Sequence, residues 1–147
     1  MTTSVGGAVG AVLVAAGEGR RMGGDKLWIE LWGRPVWRWS LDALLAVPGM
    51  VRVAVVVPSD GIERFTAALP EAAQDRCIIV PGGAERADSA LAGIAALTSA
   101  GLPEDAPVLI HDAARPAAST ELMARTVAAS SGRARGTPGR RTSPTTL

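Results

Sequence analysis

Three short segments carry residue types that could handle a polyphosphate. The first is V-L-V-A-A-G-E-G-R-R-M-G-G-D-K, from Val12 to Lys26. Gly17, Gly19, Gly23 and Gly24 permit tight turns and close backbone approach to a ligand. Backbone N–H groups in such a loop can cradle phosphates, and Arg20, Arg21 and Lys26 add cations. The spacing fails the dinucleotide pattern G-x-G-x-x-G, because Met22 holds the place of the third glycine, and no G-K-[ST] of a P-loop follows. The same letters also fit a plain strand-to-helix turn with solvated arginines. The second segment is P-G-G-A-E-R-A-D-S-A-L-A-G-I, from Pro81 to Ile94. Gly82 and Gly83 free two backbone units for a ligand, and Ser89 near a helix start could donate to a base or a phosphate. The plainer reading is a turn, then a helix whose Glu85, Arg86 and Asp88 pair or cap. The third is L-I-H-D-A-A-R-P, from Leu109 to Pro116. A strand-end aspartate suits Mg²⁺, because a hard cation prefers carboxylate oxygen; that points to Asp112. Arg115 could meet a phosphate or simply pair with Asp112, and His111 reads as a partly buried, hydrogen-bonded imidazole. Trp28, Trp32, Trp37 and Trp39 crowd one stretch; stacking on a base or partner is conceivable chemistry, but core and rim packing is the plainer account.

The elements that must position these segments follow from hydrophobic periodicity. Residues 8–16, A-V-G-A-V-L-V-A-A, form a continuous apolar run that fits a parallel strand buried on both faces. Residues 27–32 read as a short extended piece, and Gly33-Arg34-Pro35 as a turn with Pro35 at the first helical position. Val36, Ser40, Ala43, Leu44 and Val47 recur at helical spacing, so a helix is expected over 35–46. Strands are expected over 51–57, 77–80 and 108–110. Helices are expected over 60–69, 86–100 and 119–129, the last capped by Ser119. Alternation of this kind predicts an α/β domain: three layers, doubly wound around a mostly parallel sheet. Ligands bind such sheets beyond the carboxyl ends of the strands. Gly17–Lys26, Gly82–Ser89 and Asp112–Arg115 all fall at carboxyl ends, which would put separate motifs on one rim.

Composition bounds the alternatives. The 147 residues are 48% apolar and 20% charged, enough for one domain with a sizeable core. Cys77 is the single cysteine, so neither an intrachain disulfide nor a Cys/His zinc set is available. The first residues lack a secretory pattern and no apolar run reaches membrane-spanning length, so a cytoplasmic protein with no membrane partner is expected. Residues 1–130 hold 11 basic and 14 acidic side chains, which argues against nucleic acid as a partner. The excess positive charge lies in residues 131–147, where Arg133, Arg135, Arg140 and Arg141 stand among Thr, Gly, Pro and Ser. That segment cannot bury enough surface to order itself and is expected to be a disordered basic tail. The folded domain is therefore expected over 1–130.

Taken together and in order, A-A-G-E-G-R-R-M-G at 15–23, G-G-A-E-R-A-D-S-A-L-A-G at 82–93 and H-D-A-A-R-P at 111–116 resemble the 2-C-methyl-D-erythritol 4-phosphate cytidylyltransferases of the non-mevalonate isoprenoid pathway. The resemblance covers about residues 8–130. It implies a nucleotide-diphospho-sugar transferase-like fold, and Mg²⁺-dependent transfer of CMP from CTP to the sugar-alcohol phosphate with release of pyrophosphate. By motif position, Arg21 and Lys26 would be catalytic, stabilising the transition state and the leaving pyrophosphate. Ala15, Ala16, Gly17 and Gly19 would line the nucleotide, and Gly83 and Ser89 would read the cytosine. Asp112 would bind Mg²⁺, with Arg115 beside it on phosphate. Ala84 and the run Asp25-Lys26-Leu27-Trp28 depart from the family's usual residues, though the lysine is kept. The family's chain continues past this point with further strands, a dimerisation arm that makes it a homodimer, a second metal-binding aspartate and a substrate-binding lysine. Near Ser130 this sequence leaves that pattern, as a truncated or frame-shifted chain would. Two other readings stand beside the enzyme: an inactive remnant with weak nucleotide binding, and a sister cytidylyltransferase acting on ribitol 5-phosphate. A dehydrogenase is disfavoured by Met22, by the arginine pair and by Val57-Pro58, where the second strand lacks a ribose-binding acid.

Overall fold

The computed structural model describes residues 7–16, 26–115, 123–129 and 145–146. Its centre is a parallel sheet built from β1 (Val9–Val14), β4 (Met50–Val57), β5 (Cys77–Pro81) and β6 (Val108–Asp112), in the spatial order β5-β4-β1-β6. These strands are the valine- and isoleucine-rich runs. Every residue of β1 is buried, because helices cover both faces of a parallel sheet and leave no side for water.

α1 (Val36–Leu45), α2 (Ile62–Ala68) and the helix α4 (123–129) pack on one face. There Leu13, Leu41, Leu44, Val55, Phe65, Leu109 and Met123 form one core. α3 (Arg86–Ser99) covers the opposite face over Val12, Ala54, Val56 and Ile110. Alternate residues of β1 and β4 thus serve opposite cores, as the two-residue period of a strand requires. Trp37, wholly buried, meets Trp28 edge-on and tilts against Phe65 at a centroid distance of 4.8 Å. The packing account of the tryptophans holds for this pair.

The segment 27–35 differs from its sequence reading. Glu30–Leu31 (β2) and Arg34–Pro35 (β3) pair antiparallel as a miniature hairpin. The turn is Trp32-Gly33, both with positive φ (51° and 80°), the backbone that a two-residue hairpin with right-handed twist demands. Pro35 is extended and precedes the helix rather than opening it. The Trp39 indole N–H donates to the carbonyls of Leu31, at 2.8 Å, and Arg34, at 3.2 Å, and so fixes the hairpin on α1. These bonds hold in place a turn that puts a bulky residue in the left-handed region.

At the other edge, Thr145–Thr146 (β7) lie parallel to Leu109 and Ile110 of β6. These two residues belong to the segment that reads in sequence as a basic tail. An open strand edge is a template for such pairing, and threonine suits a strand. The rest of 131–147 lies outside the described residues, as does the expected cap Ser119. Among the described residues no helix is long and apolar enough to cross a membrane.

Candidate functional site at the carboxyl rim of the sheet

Because the four strands are parallel, their carboxyl ends share one rim. The direction of chain travel changes between β1 and β6: β1 leads across to β4 and β5 on one side, and the chain then returns to β6 on the other. Loops diverge at such a point and leave a crevice. Val14 is in register with Asp112, and the Ala113 N–H donates to the Val14 carbonyl at 2.9 Å. Asp112 therefore begins where β1 ends.

On the other flank of β1, close packing brings the second motif in. A Cβ placed on Gly82 would lie 2.7 Å from the Ala16 Cβ, 2.6 Å from the Ser89 Oγ and 3.0 Å from Val56. Only glycine lets the 82–83 loop lie against Ala16. A Cβ on Gly93 would approach Val12 to 2.5 Å, so α3 rests with its backbone close on the sheet. Ser89, fully buried in the first turn of α3, accepts the Gly83 N–H at 3.3 Å.

Three backbone donors here are already used. The Gly82 N–H goes to the Val57 carbonyl at 2.8 Å and the Gly83 N–H to Ser89, while the Ala15 N–H goes to the Val56 carbonyl at 2.7 Å. What these residues can offer a ligand is carbonyl oxygen, which suits an exocyclic amine and repels a phosphate. Two carboxylates stand at the start of α3 and disfavour an anion there. Glu85 and Asp88 form a reciprocal capping box, each carboxylate accepting the other residue's N–H. The capping role read for these two acids is therefore the structural one, and the Ser89 hydroxyl serves to hold the 82–83 loop.

The third motif forms a closed turn. One Asp112 carboxylate oxygen, Oδ1, accepts the Ala114 N–H at 2.9 Å, and the Asp112 carbonyl accepts the Arg115 N–H at 3.0 Å. Among the described residues no hydrogen bond or ion pair engages Oδ2. Arg115 is exposed, and no ion pair joins it to Asp112 among the described residues. His111 is buried at 1% exposure, with Nε2 3.0 Å from the Arg115 carbonyl. A carbonyl only accepts, so Nε2 carries the proton. Burial lowers the imidazole pKa, more than its hydrogen bond raises it, and the ring is neutral. The hydrogen-bonded histidine expected from sequence stands here, fully rather than partly buried.

Ala15, Ala16, Gly83, Ser89, Asp112 and Arg115 thus gather along one rim. Lys26 is exposed at the start of the segment that leads into the hairpin. Gly17, Gly19 and Arg21 lie outside the described residues. Among the described residues no three His, Cys, Asp or Glu side chains cluster as a metal cage. Asp112 alone matches a Mg²⁺ that takes one carboxylate and completes its shell with water and phosphate oxygens.

Sequence reasoning missed one contributor. Ser40 of α1, 1% exposed, donates its hydroxyl to the Ala113 carbonyl at 3.1 Å, across 73 residues of sequence. A serine inside an apolar helical stripe gives no local sign of such a reach.

Comparison with known proteins agrees with this arrangement. The sequence pattern of the family described as IspD, 2-C-methyl-D-erythritol 4-phosphate cytidylyltransferase, matches residues 9–138. A protein of that name from Cereibacter sphaeroides is 45% identical over 121 residues, covering 81% of this chain and 52% of the relative. One from Nocardia farcinica is 39% identical over 123 residues, covering 82% and 50%. The crystal structure of 4-diphosphocytidyl-2C-methyl-D-erythritol synthase from Anaerococcus prevotii superposes with a TM-score of 0.66 at 30% identity, over 83% of this chain and 50% of that one. This chain spans about half the length of the curated relatives it matches. The chain belongs to the 2-C-methyl-D-erythritol 4-phosphate cytidylyltransferase family.

Proposed function

We propose that this chain binds CTP at the carboxyl rim and, with Mg²⁺, transfers CMP to 2-C-methyl-D-erythritol 4-phosphate. A phosphate oxygen of the acceptor attacks the α-phosphorus of CTP in line. A new P–O bond forms, the α–β phosphoanhydride bond breaks, and pyrophosphate leaves with the electron pair. The protein's work in such a transfer is positioning and charge stabilisation.

Carbonyl groups at Gly82 and Gly83 would accept from the cytosine amino group, a donor that uracil lacks. Ser89 holds that loop in place. Asp112 would hold the Mg²⁺ through Oδ2; when bound, the ion supplies charge neutralisation to the phosphates. Arg115 would meet phosphate oxygens. Arg21 and Lys26, by motif position, would stabilise charge on the transferring and leaving groups, and loss of such a cation typically costs a few kcal/mol.

The observation that carries the reading is the convergence of Ala16, Gly82 and Ser89 on one side of β1 with Asp112 on the other. The test is pyrophosphate release from CTP plus the methylerythritol phosphate, with a full-length relative as the positive control. Ribitol 5-phosphate serves as the competing acceptor. Turnover confirms the enzyme. Binding of CTP with Mg²⁺ but no turnover favours the second reading, a nucleotide-binding half without catalysis, which the half-length match to its relatives supports. Absence of both rejects the proposal.

A further inference from the structure

The turn from Asp112 to Arg115 is held from two directions by polar groups in places where an apolar side chain would be expected. Ser40 occupies the buried stripe of α1 beside Trp37, Leu41 and Leu44. His111 occupies the face of β6 that it shares with Leu109. Serine inside a helix ordinarily bonds its own preceding turn. Here the hydroxyl goes to Ala113 instead. His111 donates Nε2–H to Arg115, and its buried Nδ1 has no partner among the described residues. An unpartnered buried acceptor is a standing cost, and two apolar residues would fill these places without it. Local features that cost stability mark places where function constrains the chain.

The two bonds converge. Ser40 fixes the carbonyl of the residue after Asp112, and His111 fixes the carbonyl three residues after it. Between those points the Ala114 N–H is left to the Asp112 Oδ1. We infer that Ser40 and His111 are positioning residues, clamping the 112–115 turn so that one Asp112 oxygen stays tied to the backbone while the other is presented to a divalent cation, with Arg115 held alongside. The inference rests on the CTP–Mg²⁺ reading of the rim.

Three variants of this chain test it: Ser40→Ala, His111→Phe, which keeps a ring without the donor, and His111→Gln, which restores an N–H near the Nε2 position. Two readouts are taken. Amide hydrogen exchange at Ala114 and Arg115 reports closure of the turn. Calorimetric CTP affinity with and without Mg²⁺ reports presentation of Asp112. Ser40→Ala and His111→Phe should each speed exchange at these amides by tenfold or more, with β1 and β4 amides unchanged. They should reduce the Mg²⁺-dependent gain in CTP affinity by about tenfold. His111→Gln should recover most of both. A merely structural role would lower stability without this selective loss or the rescue. Unchanged exchange at Ala114 and Arg115 in Ser40→Ala and His111→Phe would overturn the inference, as would a His111→Gln no better than His111→Phe. If His111→Phe does not fold, Ser40→Ala, a loss of one oxygen, decides alone. If the unmodified chain binds no CTP with Mg²⁺, the nucleotide reading fails by itself, and the exchange measurement still decides the clamp.

Discussion

Replacing Gly93 with alanine sets two effects of opposite sign against each other. Gly93 lies inside α3, where alanine is favoured over glycine by about 1 kcal/mol. On propensity alone Gly93→Ala should stabilise. The structure says otherwise. The added methyl would stand 2.5 and 2.9 Å from the two Val12 methyls and 3.1 Å from a Val56 methyl. Both valines are fully buried, on adjacent strands. Valine is stiff at χ1, so the contacts are relieved only if α3 lifts off the sheet. Overpacking of this kind costs roughly 1–3 kcal/mol, and two approaches below 3.0 Å place this site toward the upper end. The net loss should be about 2 kcal/mol, read as a fall in unfolding midpoint of about 7 °C. Because α3 carries Ser89 in its first turn, the same displacement should weaken CTP binding. Urea denaturation of Gly93→Ala, Val12→Ala and the double variant gives the assay. Val12→Ala clears the space, so the double variant should cost at least 1 kcal/mol less than the two singles added together. A Gly93→Ala protein more stable than the parent by about 1 kcal/mol would refute the close approach of α3 to β1, and with it the placement of Ser89.

Gly82→Ala should reduce CTP affinity tenfold or more and lower stability by roughly 1–3 kcal/mol, measured by calorimetry and thermal unfolding, because the methyl would strike Ala16 and Ser89. Asp112→Asn keeps an oxygen to accept the Ala114 N–H; its stability should stay within about 0.5 kcal/mol, while the Mg²⁺-dependent part of CTP affinity is lost. Cys77, its thiol pushed up to about 11 chiefly by burial, should resist iodoacetamide in the folded protein at pH 8–9. The unfolded chain releases this proton near its ordinary pKa and the folded chain does not, so folding stability should fall as pH rises from about 9 to about 11. Cys77→Ala should remove that part of the slope in denaturation curves taken across the window.

The sheet could be read from the sequence because its strands are buried on both faces. Val9–Val14 and Met50–Val57 are nearly uninterrupted apolar runs, and such a run has few other uses in a chain of this size. The rim followed from topology: once four strands are parallel, what lies after each one must share an edge, whatever its local conformation. The hairpin was not readable in the same way. Its turn places Trp32, not asparagine or glycine, at a left-handed position. The bond that permits this comes from the indole of Trp39, which lies beyond the turn, on α1. A rule based on turn residues sees the misfit and not the compensation.

The same division separates the two halves of the site. Asp112 announces itself, because a carboxylate closing an apolar strand has no packing reason to be there. Ser40 and His111 are hidden by their surroundings. Each occupies a periodic position that counts toward a core face, and each is buried as that position demands. Only the three-dimensional path of the chain, which brings Ser40 of α1 to the Ala113 carbonyl just after β6, converts them from core residues into groups that grip a functional turn. Residues that touch a ligand are constrained by the ligand's chemistry and leave a motif. Residues that aim them are constrained by a backbone carbonyl, which every residue has, and so leave no chemical signature in the sequence at all.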